Sequence, residues 1–103
     1  MLRRRHFNWT LLALAGWGFV APVNAAPAQR ILVLGDSLSA EYGLARGTGW
    51  VALLQKQLTQ DKAGVEVVNA SISGETTSGG RSRLPALLQK HQPSHVVIEL
   101  GGN

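Results

Sequence analysis

The sequence predicts an α/β fold, a parallel sheet covered by helices on both faces. Three observations carry this. Short, continuous apolar runs alternate with amphipathic segments in the order β-α-β-α-β, which right-handed crossovers turn into a parallel sheet. Each run then breaks into a polar loop rich in Gly, Ser, Thr and Asn: "GDSLS", "NASISGETTSGG" and "GGN". The turns at the other ends, "TQDKAG" and "KHQPS", read as plain connections. In such sheets a site lies beyond the carboxyl ends of the strands.

Taken in order, "RILVLG" (30–35) has the unbroken apolar character of a strand buried on both faces. In "GWVALLQKQLTQ" (49–60), Trp50, Leu53, Leu54 and Leu58 recur at helical spacing. "VEVVNA" (65–70) is short and β-branched, a second strand. "SRLPALLQKHQP" (82–93) sets Leu84, Leu87 and Leu88 on one helical face. Ser82 is its expected cap, Pro85 falls in a first turn whose amides are unpaired, and Pro93 is the stop. "HVVIELGGN" (95–103) reads as a third buried strand entering two glycines. A three-stranded parallel sheet leaves an apolar edge strand and face open. Residues 26–103 are therefore expected to be the N-terminal part of a longer domain.

The amino terminus has another character. "MLRRRHFNW" is basic, "TLLALAGWGFVA" is apolar, and "PVNAA" ends in small residues. This is the pattern of a secretory signal peptide over residues 1–25, with Val23-Asn24-Ala25 as the cleavage site. The apolar run falls short of the roughly 20 residues that span a bilayer, so no stable membrane anchor is expected after cleavage. A periplasmic or secreted location follows. Without cysteine there is neither a lipid-anchored terminus nor a disulfide, and the fold rests on its core. Beyond residue 25, seven Lys/Arg face six Asp/Glu, a net charge of +1 that argues against a nucleic-acid partner.

The first polar loop holds Asp36, Ser37 and Ser39. A nucleophilic Asp36 would need Mg²⁺ ligands and phosphate donors nearby, and the phosphate-cradling patterns G-x-x-x-x-G-K-[ST] and G-x-G-x-x-G are absent. Asp36 reads instead as an acceptor for loop amides. Ser37 stands where the strand turns over, two residues after Gly35, and a helix starting there would add unpaired amides. The segment is G-x-S-x-S, with Ser39 where the α/β-hydrolase elbow has its second glycine, and it lies at the first strand of the mature chain, too early for that elbow. Ser39 reads as a first-turn capping hydroxyl.

"GDSLS", "NASISGET" and "ELGGN", in this order and spacing, resemble the first three blocks of the SGNH (GDSL-type) hydrolases, most of all the bacterial thioesterase I/lysophospholipase L1 type often labelled arylesterase. The likeness covers residues 30–103. It implies a flavodoxin-like sheet and hydrolysis of a small-molecule acyl ester or thioester without metal or cofactor. It also implies Ser37 as nucleophile, with an oxyanion hole made by the backbone N–H groups of Ser37 and Gly74 and the side-chain amide of Asn103. The chemistry is coherent: acyl transfer needs rigid donors aimed at the developing oxyanion. Gly74 offers an amide unshielded by a side chain, and Asn103 an NH₂ that keeps its protons.

Such a serine also needs a base. The resemblance implies an Asp-x-x-His, and the sequence contains none. His6 belongs to the signal peptide, while His91 and His95 fall at the amino-end pole of the sheet, far from Ser37. Glu99, inside the third strand, reads as a hydrogen-bonded structural carboxylate. The chain thus carries the nucleophile and oxyanion half of a site, and the acid–base half is expected beyond Asn103. Alternative readings are an SGNH carbohydrate esterase deacetylating glycans, a non-catalytic exported binding module on the same scaffold, and a nucleotide-binding half-domain. Export and the missing phosphate motifs count against the last.

Overall fold

The computed structural model describes residues 29–103, so the expected signal peptide at 1–25 lies outside the described residues. Five elements follow one another: β1 (Gln29–Gly35), α1 (Trp50–Gln60), β2 (Val65–Asn69), α2 (Thr77–His91) and β3 (His95–Glu99). The strands form one parallel sheet in the order β2-β1-β3. β1 pairs with β2 from Gln29↔Val65 to Val33↔Asn69, and with β3 from Ile31↔His95 to Gly35↔Glu99. The first crossover leaves the central strand for one edge and the second returns past it to the other. Right-handed connections of opposite direction put α1 and α2 on opposite faces.

The central strand is the core. Leu32, Val33 and Leu34 are fully or almost fully buried, and α1 adds Val51. β3 departs from the expectation of a buried strand: as an edge of the sheet it leaves Val96, Val97 and Ile98 exposed. The open apolar edge expected for a three-stranded sheet is therefore present.

The inward face of α1 is shifted by one position from the leucine pattern. Leu53 is exposed, whereas Gln55 turns toward β2. Its Nε2 donates to the Val65 carbonyl at 3.1 Å and its Oε1 accepts the Val67 N–H at 2.7 Å. The side-chain amide thus stands in for a neighbouring strand, satisfying backbone groups that an edge leaves unpaired.

α2 begins five residues before the expected Ser82 cap. Thr76 is the N-cap, and its hydroxyl accepts the Gly79 N–H at 3.0 Å, while the Ser82 hydroxyl donates to the Ser78 carbonyl inside the helix. Pro85 accordingly sits in the helix interior and leaves the Arg81 carbonyl without its helical donor. Both residues are exposed, so water can take that place. Gln92, with φ +48°, closes the helix in the left-handed conformation ahead of Pro93. Thr76→Ala is expected to lower stability by about 1 kcal/mol, seen as a lower urea midpoint with unchanged slope.

Gly80 lets α2 approach the sheet. A Cβ there would lie 2.5 Å from Leu100 Cδ1 and 3.5 Å from Leu34 Cδ2. The Leu100 methyl is a movable side-chain end, so Gly80→Ala is expected to be near neutral, helix propensity offsetting the shift. Gly80→Val would press further toward Leu34 and is expected to cost about 1–3 kcal/mol in the same denaturation.

Candidate active site

Immediately after β1 the chain turns over at Asp36. The N–H groups of Ser39 and Ala40 both donate to the Asp36 carbonyl, at 3.1 and 3.0 Å, and Asp36 Oδ1 accepts the Leu38 N–H at 3.0 Å. Asp36 is buried and shapes the loop, as its sequence reading expects. No regular helix starts here; residues 37–43 form consecutive turns, ended by the positive φ angles of Glu41 (+64°) and Gly43 (+77°). The donors near Ser37 are therefore loop amides rather than a helix terminus.

Ser37 is half-buried. Among the described residues neither its hydroxyl nor its backbone N–H has a hydrogen-bond partner. Ser39 is the opposite case, and the capping role expected of it does not hold. It is 2% exposed; its Oγ donates to Glu99 Oε1 at 2.7 Å and accepts from the Trp50 indole Nε1 at 3.0 Å. With no helix to cap, this hydroxyl bridges β3 and α1. Glu99 is the structural carboxylate expected, also accepting the Asp36 N–H at 3.3 Å.

The other two loops are tied to this turn. The Ile72 N–H donates to the Gly35 carbonyl at 3.0 Å, and Asn69 Nδ2 to the Ser39 carbonyl at 2.7 Å. Gly102 lies beside Asp36, where a Cβ would be in ordinary van der Waals contact with its Oδ2 at 3.8 Å. Asn103 Nδ2 donates to the Glu75 carbonyl at 2.8 Å, joining the third loop to the second. An amide NH₂ carries two hydrogens, so Asn103 retains one for another acceptor. Gly74 has φ +85° with open space around its Cα, and among the described residues its N–H donates to no protein group. Among the described residues the backbone N–H groups of Ser37 and Gly74 and the second hydrogen of the Asn103 amide are thus left unengaged, on loops laced together at one pole.

Sequence reasoning missed what holds the Gly74 loop. Glu75 pairs with Arg83 of α2 at 2.9 Å, and the same guanidinium donates to the Ala70 carbonyl at 2.9 Å. The eight-residue separation of Glu75 and Arg83 bridges a loop and a helix whose start the glycines disguised. Trp50 was legible only as an apolar helix position, whereas its indole N–H serves the Ser39 bridge.

His91 and His95 stay away from the site. The His91 carbonyl accepts from Arg30 at 2.6 Å, and His95 pairs with Ile31, four residues before Gly35. That places His95 about 13 Å from the Gly35 level, against the roughly 3 Å a general base requires. A groove of about 350 Å³ at that same far pole is lined by Gln55, Leu58, Lys62 and Glu66 among others. An apolar cavity of about 250 Å³ lies between α2 and β3. Neither is lined by Ser37. The segments next to Ser37 carry exposed apolar residues: Leu38 follows it, Tyr42 N–H donates to the Ser37 carbonyl, and Ile72 N–H to that of Gly35.

Comparison with known proteins agrees with the fold and with the family resemblance. Residues 33–103 match the model of the GDSL-like lipase/acylhydrolase family. Esterase TesA of Pseudomonas aeruginosa is 60% identical over 78 residues, covering 76% of this chain and 39% of that protein. The thioesterase 1/protease 1/lysophospholipase L1 of Escherichia coli K12 is 54% identical over 80 residues, covering 78% and 37%. A crystal structure of TesA superposes with a TM-score of 0.71 at 60% identity, over 73% of this chain and 42% of that one. The chain thus spans about two fifths of the length of these relatives.

Proposed function

The chain belongs to the GDSL-like lipase/acylhydrolase family, and from that premise we propose that the protein is a serine esterase hydrolysing acyl esters or thioesters through an acyl-serine intermediate. The observation that carries the reading is the unbonded Ser37 hydroxyl on loops that leave the Ser37 and Gly74 N–H groups and one hydrogen of the Asn103 amide without a partner among the described residues. Ser37 Oγ gives its proton to a base as it adds to the acyl carbonyl carbon. The oxygen becoming anionic takes hydrogen bonds from the N–H groups of Ser37 and Gly74 and from Asn103 Nδ2. Collapse breaks the C–O or C–S bond, the leaving oxygen or sulfur takes up the proton, and water hydrolyses the acyl-serine. The base is supplied from outside the described residues, as an Asp-x-x-His, because His91 and His95 lie at the wrong pole.

The exposed apolar residues Leu38, Tyr42 and Ile72 on the loops next to Ser37 favour an aliphatic or aryl substrate over a polar glycan. The basic-apolar-small pattern of residues 1–25 favours export to the periplasm or medium. The test is hydrolysis of p-nitrophenyl hexanoate, hexanoyl-CoA and acetylated xylooligosaccharide by the protein expressed from its complete reading frame, with and without EDTA. Turnover of either hexanoyl substrate, insensitive to EDTA, is expected. Turnover of the acetylated sugar alone would assign the site to carbohydrate deacetylation, and turnover of none would leave a binding module.

A further inference from the structure

The buried bridge around Ser39 has a place in the site beyond packing. Glu99 Oε1 gathers two hydrogen bonds from the nucleophile turn: the Asp36 N–H, one residue before Ser37, and the Ser39 hydroxyl, two residues after it. The Ser39 hydroxyl in turn receives the Trp50 indole N–H from the first turn of α1. Both flanks of Ser37 are therefore pinned to one carboxylate oxygen, which stands four residues before Asn103 on the strand that carries that amide. Gly35 makes room for the arrangement. A Cβ on it would come within 2.7 Å of Ser39 Oγ and 2.8 Å of Glu99 Oε1.

The partners of this carboxylate are neutral donors, and among the described residues it joins no ion pair. What it offers is an acceptor at a set position. We propose that Glu99, acting through Ser39 and the Asp36 amide and steadied by Trp50, is a positioning residue that sets the Ser37 hydroxyl relative to the Asn103 donor. This rests on the serine-esterase reading. A catalytic group displaced by about 1 Å can lose about 10²-fold in rate while its substrate still binds. The bridge should therefore appear in kcat rather than in KM.

The test compares Glu99→Leu, Glu99→Gln, Ser39→Ala and Ser37→Ala in the protein expressed from its complete reading frame. Rates are taken with a p-nitrophenyl ester and normalised to the folded fraction measured by near-ultraviolet circular dichroism. Glutamine keeps an acceptor oxygen for both donors; leucine keeps only volume. Glu99→Leu is expected to lower kcat about 10²-fold with KM within about threefold, and Glu99→Gln to stay within about fivefold of the parent in both. Ser39→Ala, which breaks the bridge without touching Glu99, is expected to lower kcat about tenfold or more at unchanged KM. If Glu99→Leu does not fold, Ser39→Ala and Glu99→Gln decide alone.

Parental kcat per folded molecule in Ser39→Ala would overturn the proposal. So would a Gln variant impaired as severely as expected for Leu. Activity persisting in Ser37→Ala would instead overturn the serine-esterase reading, so the two failures are distinguishable.

Discussion

Ser37→Ala, in the protein expressed from its complete reading frame, is expected to lower kcat for a p-nitrophenyl ester by about 10⁴–10⁶-fold and to leave KM within a few-fold. Alanine has no Oγ, so the covalent route is closed, and only the oxyanion donors and substrate binding remain to assist water. The change should be silent in stability. Among the described residues the Ser37 hydroxyl makes no hydrogen bond, and it is half-buried, so its removal neither orphans a partner nor opens a core cavity. Steady-state kinetics paired with a urea midpoint reads both halves. A variant within tenfold of the parent would remove Ser37 from the chemistry.

Asn103→Ala is expected to cost about 10²–10³-fold in kcat, the loss that follows removal of one oxyanion donor. Its amide already makes one bond, Nδ2 donating to the Glu75 carbonyl at 2.8 Å. One amide group thus joins the loop that carries Gly74 and offers a hydrogen to the substrate. Asn103→Asp separates those roles from mere size. A carboxylate has no hydrogen to give either the Glu75 carbonyl or a developing oxyanion, and it repels both. It should therefore fall below alanine in kcat, with KM for a neutral ester changed little. An aspartate variant more active than the alanine variant would deny Asn103 its donor role.

The fold was legible wherever a single physical signal acted alone. β1 carries the aliphatic run Ile31–Leu34, and its Leu32, Val33 and Leu34 are the residues buried on both faces. The polar loops at the carboxyl ends marked the pole where Ser37, Gly74 and Asn103 lie on loops tied to one another. Where two requirements met in one residue, the sequence pointed the wrong way. Gly79 and Gly80 look like a loop, yet Gly80 is inside α2 because Leu34 and Leu100 press against it. That hid the first turn of the helix, moved the expected cap from Thr76 to Ser82, and put Pro85 in a first turn instead of the interior. Leu53 matched the apolar period but is exposed, while polar Gln55 faces inward because an edge strand needs hydrogen bonds more than oil.

Ser39 shows the same limit at the site. Its spacing from Ser37 suggested a helix cap, because local patterns report local partners. Its actual partners are Glu99, 60 residues away in sequence, and Trp50, 11 away. Only the register that sets Gly35 beside Glu99 brings that carboxylate to the nucleophile turn.

The other serines near the site make the choice of nucleophile open to direct measurement. Ser39 is buried and doubly hydrogen-bonded, the Ser71 hydroxyl is buried, and Ser73 is exposed on the second loop. The decisive measurement is treatment of the protein from its complete reading frame with a fluorophosphonate, followed by intact-mass and peptide mapping. One phosphonyl group per chain on Ser37, with ester hydrolysis lost in proportion, is the expected result. Label on Ser39, Ser71 or Ser73 instead, or full loss of activity with Ser37 unmodified, would contradict it.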